Sequence, residues 1–433
     1  MASRSSNGPN SYTALSEDQD AVMVQQIIDI PEVMEPDLSP ECCINKVPEK
    51  LREVNPEAYS PELISIGPLH HDNPKLKPME KEKYRYFHFF LKRVSRKHAL
   101  DDFKSFLGDN EVKLRSFYSE KFLGLSKDQF VNIMLLDSIF IMELLLREAK
   151  SYQHQEDDNL FRKAWMKRAI QHDLLLLENQ LPFFVLQELY NKAFSQNDSG
   201  FLHLAYKYFA DFDPEKSSNE MIVPKHWKQS KHFTDLIRHF HIPEGFHHES
   251  VPLQVLKCAT KLYNSGVVFK AIPNRCTLDI KVQKNLFYVD FKLPQLVVCS
   301  VTECVVRNIM ALEQCYYPNN TFFCNYISVI DNLINTSEDV DLLIDKEVIV
   351  HHLGTNEEVA TVINGLCKHV VTGTSCYSTH IRDLNAHYLN PRSHTVARLW
   401  TVYFKDYWRG SSTIVGVAVL FFTFFNFFRM IFE

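Results

Sequence analysis

QFVNIMLLDSIFIMELLLR, residues 129–147, is the stretch on which the fold turns. Its length and apolarity are those of a membrane span, but Asp137 and Glu143 lie inside it. Carboxylates at membrane depth are costly, so the segment reads as the core helix of a globular body. A second apolar run, AIQHDLLLLENQLPFFVLQELY (169–190), carries Glu178, Asn179 and Gln180 directly before Leu181 and Pro182. Buried polar groups need partners, so these three are expected to form a structural network capping the helix break at Pro182. The alternative is that acids from the two neighbouring helices act as general acid and base.

Working outward toward the N-terminus, residues 77–96 show helical periodicity. Tyr84, Phe87, Leu91 and Val94 fall on one face, with Lys81, Arg85, Lys92 and Arg96 near the other. A basic amphipathic helix of this kind is ordinarily a solvated face, and it also suits anionic lipid headgroups or another phosphate ligand. Before it, CCINKVPEKLREVNPEAYSPELISIGPLHH is interrupted by Pro48, Pro56, Pro61 and Pro68, with Pro74 just beyond. Prolines at this density favour extended segments and turns, hence an ordered, irregular lid that contains the His70–His71 pair. Residues 1–40 are rich in Ser, Asn, Asp, Glu and Pro and are expected to be a disordered tail.

Toward the C-terminus, six histidines (His226, His232, His239, His241, His247, His248) invite a metal reading. Their spacing supplies no nearby Cys or Asp to complete a site, so a linker or pH-sensitive loop is expected and no metal. Residues 266–300 hold β-branched and aromatic residues in short runs, the chemistry of a small antiparallel sheet. Helices follow over 302–315, 322–335 and 356–371. The fold class expected is mainly α, a large helical globular domain with a small antiparallel β element, plus one C-terminal transmembrane helix.

That last helix is GSSTIVGVAVLFFTFFNFF, residues 410–428, nineteen residues without a charge. At about 1.5 Å per residue it matches a hydrocarbon core of about 30 Å, and it has no polar stripe to face water. Trp400, Tyr403, Tyr407 and Trp408 with Arg392, Arg398, Lys405 and Arg409 crowd its upstream side, which favours a cytoplasmic flank. No secretory apolar segment opens the chain, so the body is expected in the cytosol, with plasma membrane and endomembrane unresolved. The ten cysteines then read as mostly buried free thiols. The organisation expected is a tail over 1–40, a body over 41–395, a basic aromatic juxtamembrane segment over 396–409 and an anchor over 410–432.

Only twelve glycines occur, with no G-x-G-x-x-G or G-x-x-x-x-G-K-[ST], which removes the usual nucleotide-binding folds. G-x-S-x-G, H-E-x-x-H and paired C-x-x-C are also missing. A net charge of −6 gives no whole-molecule attraction to nucleic acid, and no nucleic-acid partner or cofactor is expected.

The order of these segments resembles the plant family called domain of unknown function 247, of UPF0481-type membrane proteins. The likeness is carried by CCINKVPEKLREVNPEAYSPELISIGPLHH with MEKEKYRYFHFFLKR, by FVNIMLLDSIFIMELLL, DLLLLENQLPFFVL, GVVFK and RNIMALEQC, and by YISVIDNLINTSEDVDLLI with LGTNEEVATVINGLCKHV. It implies one terminal hydrophobic segment and no catalytic residues to carry over. Some grass members look like pollen-side recognition determinants, others are associated with stress or development. The stretch DNPKLKPME departs from the family where a glycine usually follows the histidine pair. The function expected is a membrane-anchored interaction, recognition or signalling protein with an unknown protein partner, not an enzyme. The alternative is an enzyme whose Asp137, Glu143, Glu178 and His70 converge on a pocket.

Overall fold

The computed structural model describes residues 38–94, 98–149, 158–194, 200–215, 224–243, 245–246, 251–252, 254–273, 275–286, 288–403 and 407–432. Residues 1–37 of the expected tail, Arg96, Asn197, His247 and His248 therefore lie outside the described residues, as do the side chains of 400–410.

The principal helices are α1 (Glu80–Arg93), α2 (Lys127–Ala149), α3 (Ala164–Asp173), α4 (Phe183–Phe194), α5 (Phe233–His241), α6 (Thr302–Tyr316), α7 (Phe322–Leu333) and α8 (Tyr407–Phe432). The strands are β1 (Val267–Ile272), β2 (Lys281–Lys284), β3 (Val289–Pro294), β4 (Leu296–Val298) and β5 (Ile349–His351), with a two-residue pairing of Val251–Pro252 and Thr374–Ser375. The chain is mainly α.

Helix α2 runs through the middle of the body, packed by α1, α4, Ala99–Asp109 and Gly200–Phe209. Because neighbours surround it, it needs no polar stripe, and 83% of its most apolar window is buried inside the protein. By contrast, α8 is also long and apolar enough to cross a membrane, and residues 414–431 are exposed throughout. Its Thr423 hydroxyl donates to Val419 O at 2.8 Å, which removes a polar group that hydrocarbon would not solvate.

The structure departs from four of the sequence expectations. The inward face of α1 is Lys83, Tyr86 and Phe90, continued by Met79 and Val94, while Tyr84 is 63% exposed. Lysine is almost never buried unless paired, which is why the sequence assigned the stripe one step off. The sheet is mixed rather than antiparallel: β3 lies between β1 and β2, parallel to β1 and antiparallel to β2. The residues between β1 and β2 let the chain cross to the far edge before the β2–β3 hairpin folds back into the gap. The histidine-rich stretch is not a linker, since His232 to His241 cap and form α5. The helix expected over 356–371 ends at Leu366, and His369 follows with φ 62°.

The lid forms as an ordered, irregular segment: a short helix (Glu49–Val54), a 3-10 turn (Pro56–Tyr59) and extended chain to Gly67. All ten cysteines are free, seven of them buried.

Candidate functional site

Between α3 and α4 the chain runs as irregular backbone through the core, from Leu174 to Pro182, and every residue of it is buried. Buried irregular backbone must find hydrogen-bond partners outside any helix or sheet, and here side chains provide them. The Gln180 amide donates to Leu174 O and Leu176 O at 2.6 and 2.8 Å, and its oxygen accepts from Phe233 N at 2.9 Å. Asn308 of α6 accepts from Leu177 N at 2.8 Å and donates to Ala58 O at 2.7 Å.

The same stretch holds the lid. Asp173 accepts from Glu62 N, Leu63 N and Ile64 N at 2.8, 2.7 and 2.8 Å. Asn179 accepts from Ile66 N at 2.6 Å and donates to Ile64 O at 3.0 Å. Glu178 accepts from Val47 N at 2.6 Å and Asp137 from Gly67 N at 2.8 Å. Gly67 has φ 73°, and a Cβ there would stand 2.8 Å from Gln180 O, so only glycine fits this crossing. Burial pushes the Asp173 carboxyl up to about 6 against the pull of its three amides.

Asp137, Glu143 and Glu178 are each matched to cations. Asp137 and Lys83, both 1% exposed, meet at 2.6 Å, and Lys83 also reaches Glu80 at 2.7 Å and Ser65 at 3.3 Å. Burial raises the Asp137 carboxyl, with Lys83 and Gly67 N–H opposing it. Burial would lower the Lys83 ammonium, but Asp137 and Glu80 outweigh it and raise it. With an ammonium and an amide on its two oxygens, Asp137 is ionised in this geometry. Glu143 takes Arg93 through two hydrogen bonds of 3.0 and 2.9 Å and Arg147 at 2.8 Å. Arg147 continues to Asp158 at 2.5 Å, which also accepts from Tyr86 at 2.9 Å. Glu178 pairs with Arg52 at 2.5 Å and lies 3.4 Å from His70, a contact short of a good hydrogen bond. Burial would raise Glu178, but His70, Val47 N–H and Arg52 hold it below its usual value.

Asp137, Glu178, Asn179, Gln180 and His70 are thus brought together around the lid, whereas Glu143 serves a separate arginine cluster. His71 is partly exposed, and Lys81, Arg85 and Lys92 are exposed, Arg85 beside Glu82 at 3.4 Å. Arg52, Lys83, Arg93 and Asp173 were absent from the expected set. Asp137 and Glu143 inside an apolar run were the signal that cations from elsewhere in the chain must pair with them.

A different region offers an open surface. A cleft of about 910 Å³ is lined by Lys113, Lys228, Lys231 and Arg238, by Phe184, Phe246, Tyr316, Tyr317 and Phe322, and by a single acid, Glu41. Lys113 sits 4.2 Å over the Phe184 ring. Arg238 is fixed by Glu313 at 2.9 Å and Asn320 O at 2.8 Å, with Tyr317 stacked on its guanidinium. Tyr317 donates to Asp235 at 3.0 Å, and Ser230 meets His239 at 2.8 Å, so the floor is rigid. None of the lid's acids lines this cleft. Sequence reading missed it because its residues come from five separate parts of the chain. Among the described residues no group of three His, Cys, Asp or Glu is placed to hold a metal.

The chain matches the profile of DUF247, described as a plant protein of unknown function, over residues 44–422. It is 32% identical over 359 residues to the Arabidopsis thaliana UPF0481 protein At3g47200, covering 76% of this chain and 73% of that one. It is 23% identical over 491 residues to the putative UPF0481 protein At3g02645 of Arabidopsis thaliana, covering 90% of each. No solved structure matches it.

Proposed function

The chain belongs to the plant DUF247 family of proteins of unknown function, and on that premise we propose that it is a membrane-anchored, non-catalytic interaction protein with its body in the cytosol. The observation that carries the reading is the contrast between the two polar regions. Each lid acid is matched to a cation or to backbone amides, as a structural network requires. The cleft instead presents two exposed lysines, Lys113 and Lys228, beside a half-buried Lys231 and partly buried aromatic rings, a positive surface that complements an acidic partner. The all-round apolar α8 supports the anchor, and the basic residues ahead of it support a cytosolic body.

The test is protease protection of an N-terminally tagged full chain in sealed microsomes, with glycosidase sensitivity scored at Asn197, Asn319 and Asn335. Asn319 and Asn335 are exposed, so a lumenal body would expose them to glycosylation. Digestion of tag and body without glycan is expected; a protected, glycosylated body overturns the orientation. Photo-crosslinking from position 229 in the cleft is expected to give a discrete adduct that Lys113→Glu with Lys228→Glu abolishes. An adduct indifferent to that charge reversal removes the cleft from the reading.

A further inference from the structure

A second cavity, of about 340 Å³, shares no lining residue with the basic cleft. It lies between the 3-10 turn Ala210–Phe212, the C-terminus of α5, β4, and the facing surfaces of α6 and α7. Its floor is apolar, from Val305, Val306, Phe323 and Ile327. Small-molecule sites are enclosed apolar hollows with a few placed polar groups, and they fall in this range of volume.

The polar groups here are unusual for being left over. His241 lines the cavity with Nδ1 held by Thr277 Oγ1 at 2.7 Å and its ring packed 5.2 Å from Phe323. Tyr326, fully buried, has a hydroxyl with no hydrogen-bond partner among the described residues. Buried hydroxyls are nearly always satisfied, so a vacant one beside a cavity marks a place where a ligand or water completes the structure. Asp211 and Arg275 also line the cavity, both are exposed, and neither forms an ion pair among the described residues. A second acid in the lining, Asp213, is already engaged by the Tyr206 hydroxyl at 3.3 Å and Glu215 N at 3.0 Å, which leaves Asp211 and Arg275 to complement the two charges of a zwitterion.

We propose that this cavity binds a free α-amino acid with an aromatic or branched apolar side chain. Arg275 takes the carboxylate, Asp211 the ammonium, and the side chain enters over Val306 and Phe323 toward Tyr326. At about 340 Å³ the cavity lies at the small end of the range that ligand sites occupy, as suits a single amino acid. Phosphate compounds are disfavoured by the acid at the border, and a plain fatty acid leaves that acid unmatched. The proposal adds a ligand to the interaction protein described above and does not depend on the basic cleft.

The test uses the full chain in lipid nanodiscs and three probes that differ by one group: L-phenylalanine, 3-phenylpropanoate and phenethylamine. Calorimetric titration is expected to show saturable, sub-millimolar binding of L-phenylalanine, with each truncated analogue weaker by about tenfold or more, the usual effect of losing one charge-assisted hydrogen bond. Arg275→Gln is expected to weaken phenylalanine and phenylpropanoate and to spare phenethylamine; Asp211→Asn does the converse. Both residues are exposed, so the variants retain the fold, which circular dichroism verifies. No saturable binding of L-phenylalanine, equal binding of 3-phenylpropanoate, or indifference to both substitutions overturns the proposal.

Discussion

Breaking the Lys83–Asp137 pair is the sharpest test of whether the lid network is structural. The partners meet at 2.6 Å with both side chains 1% exposed. At an effective dielectric constant of 20 their gross attraction is about 6 kcal/mol, offset by several kcal/mol of desolvation per ion. The pair therefore adds little against an apolar replacement, while loss of one partner alone costs about 3–5 kcal/mol. In Lys83→Met, Asp137 keeps Gly67 N–H but loses its counterion. Protonation limits the penalty, because neutralising a carboxyl of ordinary pKa at pH 7 costs about 4 kcal/mol. Asp137→Asn is milder, about 3 kcal/mol, since Lys83 retains Glu80 and Ser65. The double variant is expected to be more stable than the sum of the singles predicts, with a coupling of about 2–4 kcal/mol. The sign of the pH effect is also fixed. With the folded carboxyl raised in Lys83→Met, the folded state binds the extra proton, so this variant regains stability as pH falls from 7 toward the unfolded carboxyl value. Guanidinium unfolding of the full chain in detergent, followed by far-ultraviolet circular dichroism, measures all four. Additivity within about 0.5 kcal/mol, or a Lys83→Met variant as stable as the parent, refutes the reasoning.

Three further outcomes follow from the same geometry. Burial lowers His232 from 6.5 to about 4, so the folded state refuses a proton that the unfolded chain accepts. Stability is lost between those values as pH falls, about 2 kcal/mol at pH 5 from this residue, and His232→Gln is expected to flatten the acid limb of a pH titration of unfolding. Gly67→Ala is expected to cost about 1–3 kcal/mol, from its positive φ and the 2.8 Å approach to Gln180 O, read as a fall in denaturation midpoint. Burial pushes Cys276, Cys304 and Cys376 up to about 12, so maleimide at pH 7.5 should label them only on unfolding, as mass spectrometry of native and denatured protein will report.

Much of this protein is set by one-dimensional pattern. The α class, the irregular proline-rich lid, the break before Pro182 and the single exposed apolar helix follow from periodicity, proline placement and runs of uncharged residues, which act over a few residues. Asp137 and Glu143 told α2 from α8 because an isolated carboxylate is costly in lipid and tolerable in a protein core with a partner. What the sequence left open is where those partners come from. Lys83 looks like a surface residue until Asp137 is opposite it, and that contact spans 54 positions. Asp173, Asn179 and Glu178 reveal their roles only when residues 47–67 are laid across them. The parallel pairing of β1 and β3, the basic cleft and the cavity beneath Tyr326 likewise need distant segments to meet. Burial and charge pairing are properties of three-dimensional neighbours, so only the tertiary structure decides which polar residues are spent on the fold and which remain available to a ligand.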